Sequence, residues 1–121
     1  MWVHYNTYHT KIGKNIKCNI AAFDLDYTLI KPKSGRKFPK DKNDWKFLFD
    51  NIIDYLHSLK DYSIVLFTNQ SRFNNNIIEK IDNIIEKINL NIHVFISSGK
   101  DYYRKPMTGM WEKLLSINPN I

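Results

Sequence analysis

The chain has 121 residues, 43% hydrophobic and 14% aromatic, enough for one domain with its own core and too apolar for a disordered chain. Its one cysteine, Cys18, excludes an intramolecular disulfide framework, and no Cys/His cluster has zinc spacing. Eighteen Lys and Arg against twelve Asp and Glu give a net charge of +6, which suits a polyanionic partner but also the Lys-, Asn- and Ile-rich output of an AT-rich gene.

The N-terminus "MWVHYNTYHTKIGK" lacks the basic-then-apolar order of a secretion signal, and no apolar run is long enough to span a bilayer. An intracellular setting, cytoplasmic or nuclear, is expected. Residues 2–9 and 15–23 read as strands, with 11–14 as the turn between them. Residues 31–44, "KPKSGRKFPKDKND", form a basic loop broken by Pro and Gly. Asp44 is a good helix N-cap, and Trp45, Leu48, Phe49, Ile52, Ile53, Leu56 and Leu59 then follow at helical spacing.

"SIVLF" (63–67) and "IHVFI" (92–96) are short, continuously apolar strands of the kind covered on both faces. Between them, "NNN" (74–76) caps a helix whose stripe is Ile77, Ile78, Ile81, Ile84, Ile85 and Ile88. After a loop through Lys105 and Pro106, a last helix from about Thr108 to Ser116 packs Met110, Trp111, Leu114 and Leu115. Strands alternating with helices predict an α/β domain: a Rossmann-like parallel sheet with helices on both faces. Ligands in such sheets sit beyond the carboxyl ends of the strands. Asp24, Thr68 and, one loop later, Lys105 lie there, from three separate strands.

Together these residues suit phosphoryl transfer. Asp24 could attack phosphorus and form an aspartyl-phosphate. Asp26 could protonate the leaving oxygen and then deprotonate a water. A hard cation such as Mg²⁺ would relieve the repulsion between the two carboxylates. Thr68 and the amides of "TNQ" could hold phosphoryl oxygens, with Lys105 supplying positive charge.

The stretches "AAFDLDYTLI", "SGRKFPKDKNDWKFLF", "IVLFTNQ" and "YRKPMTGMW" resemble the haloacid dehalogenase superfamily, and within it the 3′-phosphatase domain of polynucleotide kinase 3′-phosphatases. The resemblance covers residues 15–115. It implies that Asp24 is the nucleophile and a magnesium ligand, and that Asp26 is the general acid/base and lends its backbone carbonyl to the metal. It further implies that Thr68 and Asn69 bind phosphate, that Lys105 is the motif lysine, and that Thr28 buttresses the first loop. Arg36, Lys37 and Arg104 are the further cations expected to touch substrate.

Tyr27 stands where these phosphatases usually carry Gly, so the loop is expected to avoid positive φ there. By the same resemblance another acidic motif should follow on a further strand. The only acid after Lys105 is Glu112, so a single domain lacking its last strand or strands is expected. No G-x-x-x-x-G-K-[ST] occurs, so a 5′-kinase would reside in another domain or a partner.

Neither the segment after Asp26 nor that between Thr68 and Lys105 has room for a cap domain, so the site should be open and admit a polymer end. Lys31, Lys33, Arg36, Lys37, Lys40 and Lys42 emerge beside that opening, and Phe38, Tyr102 and Tyr103 could stack on a terminal base, though packing is their commoner job. The expected activity is magnesium-dependent removal of a 3′-phosphate from nucleic acid, most simply DNA during end repair. The alternatives are a capless phosphatase for histidinol phosphate or sugar bisphosphates, and a non-catalytic module that keeps only end recognition.

Overall fold

Two short runs whose residues are buried on alternating faces, 63–69 and 92–97, form the centre of the molecule. The computed structural model describes residues 1–101, 103–105 and 108–121. In chain order the elements are β1 (Trp2–His4), β2 (Tyr8–Lys11), β3 (Ile20–Phe23), β4 (Ile30–Lys31), β5 (Lys46–Phe47), α1 (Ile52–Ser58), β6 (Ser63–Asn69), α2 (Asn75–Ile88), β7 (Ile92–Ser97) and α3 (Gly109–Ile117). Five strands make one sheet in the order β1-β2-β7-β6-β3. β6 is parallel to both β3 and β7, in the register Phe23↔Leu66 and Leu66↔Val94.

The expected helices lie on both faces. Ile64, Leu66, Ile92, Val94 and Ile96 meet Ile52 and Leu56 of α1 and Ile81, Ile84 and Ile88 of α2. On the opposite face Val65 and Phe95 meet Met110 and Leu114 of α3. Both faces are covered, which is why these strands are apolar at every position rather than at alternate ones. α2 begins as expected, with Asn74 Oδ1 accepting from the amides of Asn76 (2.9 Å) and Ile77 (3.2 Å). It ends at Asn89, whose φ of 58° is the left-handed C-cap conformation.

Three expectations are corrected. The sheet is mixed rather than parallel throughout, because β2 runs antiparallel to β7 and β1 antiparallel to β2. The single strand expected over 2–9 is broken by a tight turn, where the Tyr5 amide donates to the Tyr8 carbonyl at 2.9 Å. A connection that short joins only antiparallel neighbours. β2 then continues to Lys11, and residues 12–19 cross the sheet as a loop. That loop is held by Gly13 N–H on His93 Nδ1 (3.0 Å) and Lys14 N–H on Asn91 Oδ1 (2.9 Å).

The third correction concerns the helix expected from Asp44. The helix begins at Ile52, and residues 46–47 instead pair antiparallel with 30–31 as a small ribbon. Trp45, Phe47 and Leu48 still pack on the same core as α1, which is why their spacing passed for helical. Asp44 does not cap. Its carboxylate accepts from Ser34 N–H (2.7 Å), Ser34 Oγ–H (2.6 Å) and Lys40 N–H (3.0 Å), so it ties the two ends of the basic loop together. The Ser34 hydroxyl, followed by the Lys40 amide, pulls this buried carboxyl down to about 2.

A depressed carboxyl stabilises the structure above its ordinary range and loses that contribution as the pH falls towards the folded value. The amide resonances of Ser34 and Lys40 should therefore titrate with a midpoint near 2. A midpoint at about 4, the unperturbed carboxylate range, would mean that Asp44 does not hold the loop. Asp44→Ala should leave helical content unchanged while releasing residues 34–40 to faster amide exchange.

Candidate active site

The parallel trio places the carboxyl ends of β3, β6 and β7 on one edge. Immediately after β3, the Leu25 carbonyl accepts from the amides of Thr28, Leu29 and Ile30 at 3.3, 2.9 and 3.2 Å. This tight turn holds Asp24 and Asp26 at the strand end. It requires a left-handed residue, and Tyr27 takes φ 58°, contrary to the expectation that a non-glycine would avoid it. That conformation costs about 1 kcal/mol. The Tyr27 hydroxyl donates to the Lys37 carbonyl and so links the turn to the basic loop.

Asp24 Oδ1 accepts from the Leu25 amide at 2.8 Å and lies 2.9 Å from Lys105 Nζ. Lys105 is itself held in place. Its Nζ donates to the Phe67 carbonyl (2.6 Å), its N–H to Asn69 Oδ1 (3.0 Å), and its carbonyl accepts from Asn69 Nδ2 (3.3 Å). The Asn69 amide is thus spent in both directions on the Lys105 backbone. Thr68 is buried, and its Oγ1 accepts from Gln70 Nε2 at 3.0 Å. The same nitrogen donates to Asp26 Oδ2 at 2.9 Å. Gln70 therefore joins β6 to the second carboxylate. Gln70 closes the "TNQ" stretch, where only its backbone amide is expected to act, and its side-chain role depends on partners 2 and 44 residues away.

The structure thus brings together Asp24, Asp26, Thr68, Asn69 and Lys105. Thr28 is exposed, and among the described residues its hydroxyl meets no partner. Arg104 N–H caps the Asp101 carbonyl (3.1 Å), and its Nη1 is sealed from solvent without a hydrogen bond. Tyr103 stacks on Tyr8 at 4.3 Å, a packing contact. Tyr102 and Pro106 lie outside the described residues.

A groove of about 660 Å³ opens beside Asp26, between residues 30–42 and the loop of Asn69, Gln70 and Arg72 leading to α2. Lys31, Lys37, Lys42 and Arg72 line it, whereas the exposed Arg36 and Lys33 do not. Lys37 also lies over the Phe38 ring at 5.5 Å. The 70–74 loop is anchored by Phe73 stacked on His9 at 3.7 Å. Burial, together with the His4 imidazole, holds the His9 pKa below its usual value. Among the described residues no three His, Cys, Asp or Glu side chains gather as a metal cluster, so Asp24 and Asp26 remain a pair.

Asn69→Ala should speed amide exchange at Lys105 while leaving protection in β6 and β7 unchanged, because it removes the acceptor of that one N–H. Unchanged exchange at Lys105 would contradict the tether.

The family model described as polynucleotide kinase 3 phosphatase matches residues 19–120. The bifunctional polynucleotide phosphatase/kinase of Schizosaccharomyces pombe is 40% identical over 124 residues, which cover 94% of this chain and 30% of the relative. An uncharacterized 20.8 kDa protein of Autographa californica nuclear polyhedrosis virus is 38% identical over 109 residues, covering 81% of this chain and 57% of the relative. The polynucleotide 3′-phosphatase of Saccharomyces mikatae is 48% identical over 61 residues, covering 43% of this chain and 25% of the relative. The chain therefore spans between a quarter and little more than half of these relatives. On the strength of the match across residues 19–120, the chain belongs to the polynucleotide kinase 3 phosphatase family.

Proposed function

We propose that this chain is a capless phosphatase of haloacid dehalogenase type that removes the 3′-phosphate from nucleic-acid ends, DNA in the first instance, through an aspartyl-phosphate on Asp24. The observation that carries the reading is the Asp24–Lys105 pair at the strand ends, 2.9 Å apart, with half of the Asp24 side chain open to solvent. Oδ1 is occupied by Lys105 and the Leu25 amide, which leaves Oδ2 as the attacking oxygen. The Oδ2–phosphorus bond forms as the phosphorus–O3′ bond breaks. Asp26, whose Oδ2 is fixed by Gln70, delivers a proton from Oδ1 to the leaving oxygen. It then takes a proton from the water that attacks phosphorus, releasing phosphate and restoring Asp24.

The Asp24 carboxylate and the Asp26 backbone carbonyl are hard oxygen donors of the number Mg²⁺ uses when substrate and water complete its sphere, so these two residues fit that ion. When bound, it would supply positive charge against the phosphoryl oxygens. Lys105 contributes charge from the protein side, and Thr68 and the amides around it face the phosphate.

Openness and charge favour a polymer. Between β3 and α1 there is only the loop with its two-residue strands, and between β6 and β7 only α2, so among the described residues neither connection carries a cap over the site. Lys31, Lys37, Lys42 and Arg72 line the groove that opens beside Asp26. The S. pombe and S. mikatae relatives carry polynucleotide phosphatase names, which supports the same substrate class and an intracellular role. A kinase partner or domain fits the bifunctional relative.

Asp24→Asn should abolish phosphate release from a 3′-phosphorylated oligonucleotide with the fold intact, and chelation of divalent ions should stop the parent. Turnover by Asp24→Asn comparable to the parent's would remove Asp24 from the mechanism. Gln70→Glu sets a second carboxylate against Asp26 and should lower kcat at least tenfold without a matching loss of melting temperature. Replacing Lys31 and Lys37 by Gln should lower kcat/KM for the oligonucleotide relative to p-nitrophenyl phosphate. It should also flatten the salt dependence by a little under one unit per lost phosphate contact. An unchanged ratio would favour a small-molecule phosphoester instead.

A further inference from the structure

The floor of the groove carries a cation that the mechanism above leaves unused. Lys80 sits on α2 between Ile77 and Ile84 in helical spacing, with only 5% of its surface exposed. Lysines are almost never buried to that degree without a partner, because an uncompensated charge is costly to desolvate. Among the described residues the Lys80 ammonium has neither a hydrogen bond nor an ion pair. Its neighbour Glu79 is committed to Lys42 across the groove. Asp26 and Asp41, the two carboxylates lining the groove, are both beyond ion-pair distance. Among the described residues the partnerless side-chain atoms fully sealed from solvent are His93 Nε2 and Arg104 Nη1. The Lys80 ammonium is not among them, so solvent touches it, and Lys80 lines the groove.

We infer that Lys80 is an anion subsite and holds an internucleotide phosphate of the strand whose end reaches Asp24. The inference rests on the proposed function for the nature of that strand. A phosphodiester is the anion that fits. The groove runs from Asp26 to Lys31 and Lys42, and its 660 Å³ is room for a nucleotide rather than for one phosphate ion. Phe38, 71% exposed, stands at its lining as a face on which a base can stack. In this arrangement the Lys42–Glu79 pair joins the loop to α2.

The test is a linkage scan on the intact chain. Single-stranded oligonucleotides ending in a 3′-hydroxyl, with each internucleotide linkage in turn replaced by a neutral methylphosphonate, are titrated by fluorescence anisotropy. One linkage near the 3′ end should weaken binding about tenfold, the size expected for a lost charge-assisted hydrogen bond. It should also flatten the slope of log Kd against log salt by about 0.7. Lys80→Met should weaken binding of the unmodified strand by the same factor and cease to respond to that linkage, while Lys80→Arg should still respond. Lys80→Gln enters the same cycle if the Met variant does not fold. A parent indifferent to every replacement, or a charge-neutral variant that responds like the parent, overturns the inference. The hydroxyl-ended strand carries no scissile phosphate. Loss of turnover with the linkage response intact therefore counts against the proposed function alone, and the reverse counts against Lys80 alone.

Discussion

The site depends on where the Lys105 ammonium is held. It lies between Asp24 Oδ1, at the end of β3, and the Phe67 carbonyl, in β6, while Asn69 grips the Lys105 backbone. One side chain thus joins the loop after β7 to β6 beside it and to the end of β3 beyond. Asp24 and Lys105 are 49% and 32% exposed, so solvent screens their attraction, and the pair is worth at most about 1 kcal/mol of stability. Its importance lies in orientation: it occupies one carboxylate oxygen and leaves the other facing outward. The hydrogen bonds of Lys105 to neutral backbone and amide groups keep that orientation when the charges are screened.

The same economy of contacts shapes the basic loop. A loop carrying this many cations repels itself, yet it is ordered by neutral and acidic groups from outside the run of Lys and Arg. Asp44 ties Ser34 to Lys40, Tyr27 reaches the Lys37 carbonyl, and Glu79 takes Lys42. Among the described residues Lys31 and Lys37 have no ion pair and line the groove. Tyr27 accepts a left-handed backbone in reaching the Lys37 carbonyl, which relates the turn of Asp24 and Asp26 directly to the wall of the groove.

Much of this was legible in the sequence where one residue's local chemistry decided its structure. The apolar runs 63–67 and 92–96, the Asn74 cap and the isoleucine stripe of α2 are of that kind. So were Asp24, Thr68 and Lys105, because strand ends in an α/β chain converge. What was not legible depended on distant partners. Asp44 has the composition of a helix cap, but its acceptors are satisfied four and ten residues away, so the helix starts later. Trp45, Phe47 and Leu48 reach the core from a ribbon at spacings a helix would also give. The antiparallel hairpin hung on a turn at residues 5–7 that carries neither Gly nor Pro. Gln70 reads in the sequence as an ordinary turn residue and is distinguished only by its partners, and nothing in the sequence singles out Lys80, which is distinguished only by its burial.

The central claim is that the oxygen of Asp24 left free by Lys105 takes the phosphoryl group. Rapid acid quench of the chain turning over an oligonucleotide with an isotopically labelled 3′-phosphate, followed by digestion and mass spectrometry, tests it most directly. The account predicts a transient phosphoryl group on the peptide carrying Asp24, formed and lost at rates compatible with turnover. Phosphate release with no labelled protein at any quench time, or label on a different residue, would contradict it.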